Sequence, residues 1–232
     1  MLKIEKTVLP SPEQWEIIIE GMRNPLNSWD KSDSYKTHVE NPGTLNAADF
    51  EFFMGEADYG LMKKLATGGA VHAKYRRMIP VYVTINAPLY WWKEFDTYKV
   101  GTVCNSCSTM HKIHAKEFTL DDFSHEHLTH YARDGELCRD WLGDLEDLID
   151  DLNLARDLYL RTKEKIWWWQ MIQLLPTSYN QKRTIMLNYE VLVNIYRSRK
   201  NHKLDEWHTF CDWIETLPYS ELITGGAEDA AD

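Results

Sequence analysis

The sequence predicts an α+β fold: one mostly helical domain over residues 1–223, with a small antiparallel sheet. Three observations carry this. Apolar residues recur at helical spacing through three long C-terminal segments. Pro80–Ile85 (PVYVTI) is β-branched and aromatic, the composition of a buried strand. No repeat or linker divides the 232 residues, of which 44% are hydrophobic, enough for one sizeable core.

Each element follows from local chemistry. Leu2–Glu5 alternates apolar and polar, as a half-buried strand does. Ser11-Pro12-Glu13 is a helix start, with a capping hydroxyl, a Pro suited to the first turn and an acid at the positive end; this helix should end near Gly21. Residues 24–46, rich in Asn, Ser, Asp, Pro and Gly, read as a long loop, a kind of segment that often carries function. Asn46 would cap a helix carrying Phe50, Phe53 and Met54. A second helix over Asp58–Ala66 stops at Gly68-Gly69. Asn86-Ala87-Pro88 breaks the PVYVTI strand, and Leu89–Phe95 starts a helix. Further helices are expected over Leu120–His130, from Leu145 through Ile166 to Pro176, over Gln181–Arg199, and over Asp205–Leu217. The acidic tail, residues 224–232, should be disordered.

Composition excludes several classes. A net charge of −10 argues against a general nucleic-acid coat, because phosphate backbones reward clustered cations. It leaves room for one small anion in a local basic pocket. No run approaches 18 apolar residues, so no membrane span is expected. The start of the chain reads as a strand rather than a signal peptide, and four Cys without a secretory signal suggest free thiols in the cytoplasm. Ten Trp is a high count; some rings should face a ligand or another subunit.

Four motifs could carry chemistry. Cys104-Asn-Ser-Cys107 precedes His111 and His114, but the spacing fits no zinc module and no second CxxC exists. His125-Glu126-His127 with His130 lacks the HExxH order and reads as a solvated helix face. Trp167-Trp168-Trp169 points its rings about 100° apart, so the three cannot share one groove, although a base platform is open to one of them. Asn188 and Arg199 sit on one helical face, with Asn194 roughly 120° away. Amides there can read a base or ribose edge, and the guanidinium can hold a phosphate.

Two of these segments resemble flavin-dependent thymidylate synthases. Ala87-Pro88-Leu89-Tyr90 leading toward Cys107 and Thr109 is similar to that family's signature region. Leu175-Pro176 followed by Asn188, Asn194, Arg199 and His202 reproduces its C-terminal spacing, and Gly69-Ala-Val-His72 resembles its entry to the central strand. The segment WWKEFDTYKVGT also resembles proteins encoded by phages of Gram-positive bacteria. The resemblance implies a homotetramer with composite sites using FAD, NADPH, methylene-tetrahydrofolate and dUMP. The family's Arg-His-Arg falls on Thr97, Tyr98 and Lys99, its Ser on Cys107, and two phosphate arginines on Thr109 and near Ile172. The FAD-contacting asparagines match Asn188 and Asn194, the Arg between them falls on Glu190, and a phosphate Arg matches Arg199. Losing two charge-assisted phosphate contacts at about 1.5–3 kcal/mol each removes about two to four decades of affinity.

The expected ligand-binding set is therefore His72, Arg76, Arg77, Glu94, Thr97, Tyr98, Lys99, Asn105, Ser106, Cys107, Ser108, Thr109, Asn188, Asn194 and Arg199, with no catalytic residue and no metal ligand. Neutral hydrogen-bonding groups crowd the rebuilt segment, Thr102 among them, where a dead site would drift to apolar filler. The expected function is a non-catalytic nucleotide-binding protein, requiring no cofactor, that sequesters a host nucleotide signal. The alternative is an active, FAD-dependent enzyme methylating dUMP or a related nucleotide. Expected partners are a nucleotide-type small molecule and copies of the same chain, a tetramer favoured, with no nucleic-acid polymer and no membrane.

Overall fold

The computed structural model describes residues 1–38, 50–134 and 136–225, and its fold is α+β. In order come β1 (Lys3–Val8), α1 (Pro12–Arg23), β2 (Tyr35–His38), β3 (Phe50–Phe53), α2 (Glu56–Thr67), β4 (Pro80–Pro88), α3 (Leu89–Phe95), β5 (Val103–Ser106), β6 (His130–Arg133), β7 (Glu136–Asp140), α4 (Trp141–Thr162), α5 (Lys165–Leu174), β8 (Asn180–Asn188), α6 (Tyr189–Arg199), α7 (Asp205–Glu215) and α8 (Glu221–Thr224). The main sheet has the strand order β1-β4-β8-β5. Two compact units thread through the chain. The first is Met1–Glu5, Thr84–Thr97 and Asn105–Thr184; the second is Lys6–Val83, Tyr98–Cys104 and Ile185–Asp232. Each of the four strands therefore has residues in both.

The first unit buries Ile113, Phe118, Phe123, Leu145, Ile149, Leu152, Ala155 and Met171 together, with α4 packed on α5. Trp91, Trp92 and Phe95 form a ring cluster beside β8, with centroids 4.8–5.5 Å apart. The Trp92 indole N–H donates to the Gln181 carbonyl at 2.8 Å, and the Leu89 N–H to that of Tyr179 at 3.0 Å. The start of α3 is thereby tied to β8. The second unit builds its core from α1, α2, α6, α7 and α8. Met62, Ile79, Leu192, Ile195, Trp207, Phe210 and Ile214 are fully enclosed there.

Several expectations change. The helix start at Ser11 forms as a complete capping box, but α1 runs past Gly21 to Arg23. Phe50–Phe53 is a strand paired antiparallel with β2; Asn46 lies outside the described residues. The PVYVTI strand continues through Asn86-Ala87-Pro88, because burial keeps alternating to Ala87 and the proline ends β4 with no N–H to satisfy. Leu120–His130 makes only one 3-10 turn at Leu120–Asp122 before β6, so His125, His127 and His130 share no helix. Gln181–Asn188 is β8, and only Tyr189–Arg199 is helical. Residues 226–232 of the predicted tail lie outside the described residues.

Candidate functional site

One concavity with polar walls belongs to the second unit. A cavity of about 410 Å³ is lined by Arg77, Met78, Pro80, Tyr82, Gly101, Thr102, Val103, Met186 and Asn188. Each wall has a local cause. Arg77 lies on a short 3-10 turn, Lys74–Met78, that packs against α6. Tyr82 points outward from β4 by strand alternation and is 48% exposed. Gly101 adopts φ +78°, a left-handed conformation that glycine takes without penalty. A Cβ there would stand 3.2 Å from both Asn188 Nδ2 and Val191 Cγ2, so glycine leaves a cradle between backbone and amide. Asn188 is the N-cap of α6: its Oδ1 accepts the Val191 N–H at 3.1 Å, which leaves its Nδ2 donor for other partners. Thr102 Oγ1 is buried with no hydrogen-bond partner. A cation, an orphaned hydroxyl, an amide donor and an aromatic ring thus line one cavity. These groups fit the phosphate, ribose and flat base of a nucleotide cofactor.

Elsewhere in this unit, the Arg199 Nε donates to the Tyr98 hydroxyl at 3.0 Å, and its guanidinium lies 4.8 Å from the Trp207 ring centroid. Arg199 ends α6 whereas Asn188 precedes it. Eleven helical residues separate them by about 16 Å of axial rise, too far for one phosphate to touch both. Asn194 is exposed between them. Arg76 is only 2% exposed, with Nε and Nη2 unpartnered; Glu190 Oε2 is also buried and unpartnered. Burial pushes the neighbouring Tyr75 hydroxyl up to about 12 while Arg76 pulls it down. Lys99 is exposed, and His72 lines a separate cavity with Met22, Leu26 and Tyr75.

The first unit holds the rest of the expected set, and most of these groups have local structural work. Thr97 closes the end of α3, donating through both its N–H and Oγ1 to the Glu94 carbonyl. Ser108 Oγ accepts the His111 N–H at 2.9 Å and shapes a turn. Cys107 is held to β8 through its N–H to the Lys182 carbonyl and its own carbonyl from Gln181 Nε2, both at 2.9 Å. Asn105 and Ser106 are exposed on β5, and Thr109 is half-buried. Of the expected set, the cavity thus brings Arg77 and Asn188 together. Gly101, Tyr82 and Met186 join them without having been singled out. The signals were there: Lys99-Val-Gly-Thr102 is a glycine turn, and Tyr82 is the outward residue of an alternating strand. Among the described residues, no group of three or more His, Cys, Asp or Glu is placed to hold a metal, and no helix is long and apolar enough to cross a membrane.

No family model and no curated protein matches the sequence. Solved structures do match. Thymidylate synthase X of Helicobacter pylori, solved with FAD and dUMP, covers 98% of this chain and 98% of its own, with a TM-score of 0.61 at 14% identity. The UMP/dUMP methylase PolB of Streptomyces cacaoi, solved with 5-Br dUMP, covers 98% of this chain and 93% of its own, with a TM-score of 0.54 at 11% identity. The expectation that no cofactor is required is overturned by the first of these, a near full-length structural counterpart that carries FAD beside its nucleotide. The chain has the fold of the flavin-dependent thymidylate synthases.

Proposed function

We propose that this chain binds a uridine-type nucleotide and a flavin on its thymidylate synthase-like fold, and retains the nucleotide without methylating it. If a phage carries the protein, such retention would remove a host nucleotide signal from circulation. The observation that carries binding is a cavity that offers Arg77, Tyr82 and the Asn188 amide, with the unpartnered Thr102 hydroxyl buried behind its wall. The H. pylori and S. cacaoi proteins of this fold were solved with dUMP and 5-Br dUMP, respectively. Arg77 would meet a flavin diphosphate, Asn188 and Thr102 its ribose or ring edge, and Tyr82 a flat ring. What favours retention over turnover is the rebuilt signature: Thr97 is used to close α3, and Arg199 is already bonded to Tyr98. A pocket that only holds its ligand needs affinity, not transition-state contacts.

A second reading is flavin-dependent methylation of a uridine nucleotide, favoured by the fold of the UMP/dUMP methylase. We also take the working form to be a homo-oligomer, a tetramer by the resemblance, because Trp141, Leu154, Ile166 and Trp169 are each at least 40% exposed.

One experiment separates these readings. The purified protein is given FAD, then UMP or dUMP with reduced cofactor and methylene-tetrahydrofolate. Its spectrum and light-scattering mass are recorded, and the ligand is recovered after heat denaturation. Intact nucleotide and a flavin band support the proposal, and a methylated product selects the second reading. Failure to bind either ligand overturns both. Arg77→Ala is expected to weaken FAD binding more than Cys107→Ser does.

A further inference from the structure

The first unit contains a concavity with two lysines and two histidines in its lining. About 330 Å³ in volume, it is lined by His111, His114, Tyr159, Lys163, Lys165 and Trp168. None of the six is acidic, although the chain carries a net charge of −10. We propose that this cavity is a second binding site, for an aromatic anion of the nucleoside-phosphate class. It lies wholly in the first unit and shares no residue with the cavity assigned above, so it does not rest on that assignment.

Four observations support it. His114 lines the cavity, and behind its wall the ring Nδ1 is buried with no hydrogen-bond partner. Its backbone is held in place, the carbonyl accepting Arg156 Nε at 3.2 Å, while its ring meets Tyr159 edge-on at 4.9 Å. Trp168 is likewise fixed before any ligand arrives, its indole N–H donating to the Met110 carbonyl at 3.0 Å. A ring already ordered loses little entropy when a base stacks on it. The last observation is Lys163. It caps the C-terminus of α4 with φ +61°, a left-handed conformation in which glycine or asparagine is the usual residue. Its ammonium lies 5.9 Å from the Tyr159 ring centroid, so a cation and an aromatic face meet on the cavity lining. Lys163 and Lys165 supply point charges for a phosphate, the imidazoles supply ring N–H groups, and Tyr159 and Trp168 supply flat faces. Volume and chemistry together match one nucleotide rather than a polymer.

The test uses the full chain and trinitrophenyl-ATP as a fluorescent probe, with ATP, inorganic triphosphate and adenosine as competitors. Lys163→Gly is the informative variant, because it removes the cation while relaxing the backbone, so lost binding cannot be blamed on misfolding. The double variant Lys163→Gly/Lys165→Gln is expected to weaken the probe by about tenfold or more, as loss of charged contacts to a phosphate should. Its melting temperature should equal or exceed that of the parent. Trp168→Leu should weaken ATP more than triphosphate. Arg77→Ala, which alters the other cavity, should leave this binding component in place. Unchanged probe affinity in the double variant overturns the proposal. So does binding lost in Arg77→Ala, or competition by triphosphate alone with no effect of Trp168→Leu.

Discussion

At the scale of single residues, Thr102 and Asn188 decide whether the main cavity is a site. A buried hydroxyl without a partner destabilises a fold by about 1–3 kcal/mol, and a ligand would remove that penalty. Asn188 serves two purposes, which substitution can separate. Its Oδ1 caps α6, and its Nδ2 faces the Gly101 cradle. Asn188→Asp keeps an acceptor for the Val191 N–H but loses the donor and adds a charge; Asn188→Ala loses both, and with the cap about 1 kcal/mol. Urea denaturation should therefore rank the aspartate variant near the parent and the alanine variant below it, while FAD titration should find both impaired. Undiminished FAD binding by Asn188→Asp would place the amide outside the ligand's reach. Asn188 was legible in the sequence through its spacing to Asn194 and Arg199. Its role as the junction between β8 and α6 was not, because Asn suits a helix face and a cap equally in a single sequence.

Among elements, the largest surprise is that Gln181–Asn188 forms a strand. Ile185, Leu187 and Tyr189 are fully buried, a period of two. Ile185, Leu192 and Ile195, read alone, also fit a helix period, and Lys182, Arg183 and Thr184 hide the alternation. Phe50–Phe53 misled for the mirror reason: aromatic side chains that pair across β2 and β3 were read as one face of a helix. Leu89–Phe95 was readable because Ala87-Pro88 fixes its start. What anchors it to β8 was not readable, since the Trp92 bond to Gln181 joins residues far apart in sequence. Trp92→Phe should show the strength of that anchor. The ring fills most of the same space, but the Gln181 carbonyl loses its buried donor, and Arg183, 4.4 Å from the Trp92 ring, loses a better cation–π surface. A stability loss of about 1–3 kcal/mol in denaturant melts is expected; a value near zero would mean that water or a backbone shift replaces the bond.

At the scale of the whole chain, the fold class was legible, whereas the described part of the loop expected over residues 24–46 holds two 3-10 turns and β2. Its composition suggests a loop, and within it Ser32, Asp33 and Ser34 are organised by one carboxylate. Asp58, fully buried at the start of α2, accepts Arg23 Nε at 2.5 Å, Ser32 Oγ at 2.8 Å, and the N–H groups of Asp33 and Ser34 at 3.1 and 3.0 Å. Arg23 in turn donates through Nη1 to the Ser28 carbonyl at 3.1 Å. The segment thus joins the end of α1 to the start of α2 and owes its polar composition to that network. Burial alone would raise the Asp58 carboxyl, but hydrogen bonds from Ser34, Ser32 and Arg23 outweigh it and hold the group below the usual carboxylate range. The sign of the pH effect follows. A carboxyl lowered in the folded state adds stability that is complete above its unfolded value, about 3.9, and is lost as pH falls through the lower folded one. The parent should therefore lose part of its urea stability through this residue as the pH falls below about 4. Asp58→Asn leaves Arg23 buried without its counter-charge, so it should be less stable by about 3–5 kcal/mol at pH 7. Since it has no proton to take up there, its deficit should narrow below pH 4. A deficit that stays constant down to pH 2 would show that the network acts through packing and neutral hydrogen bonds, with the Asp58 charge contributing nothing.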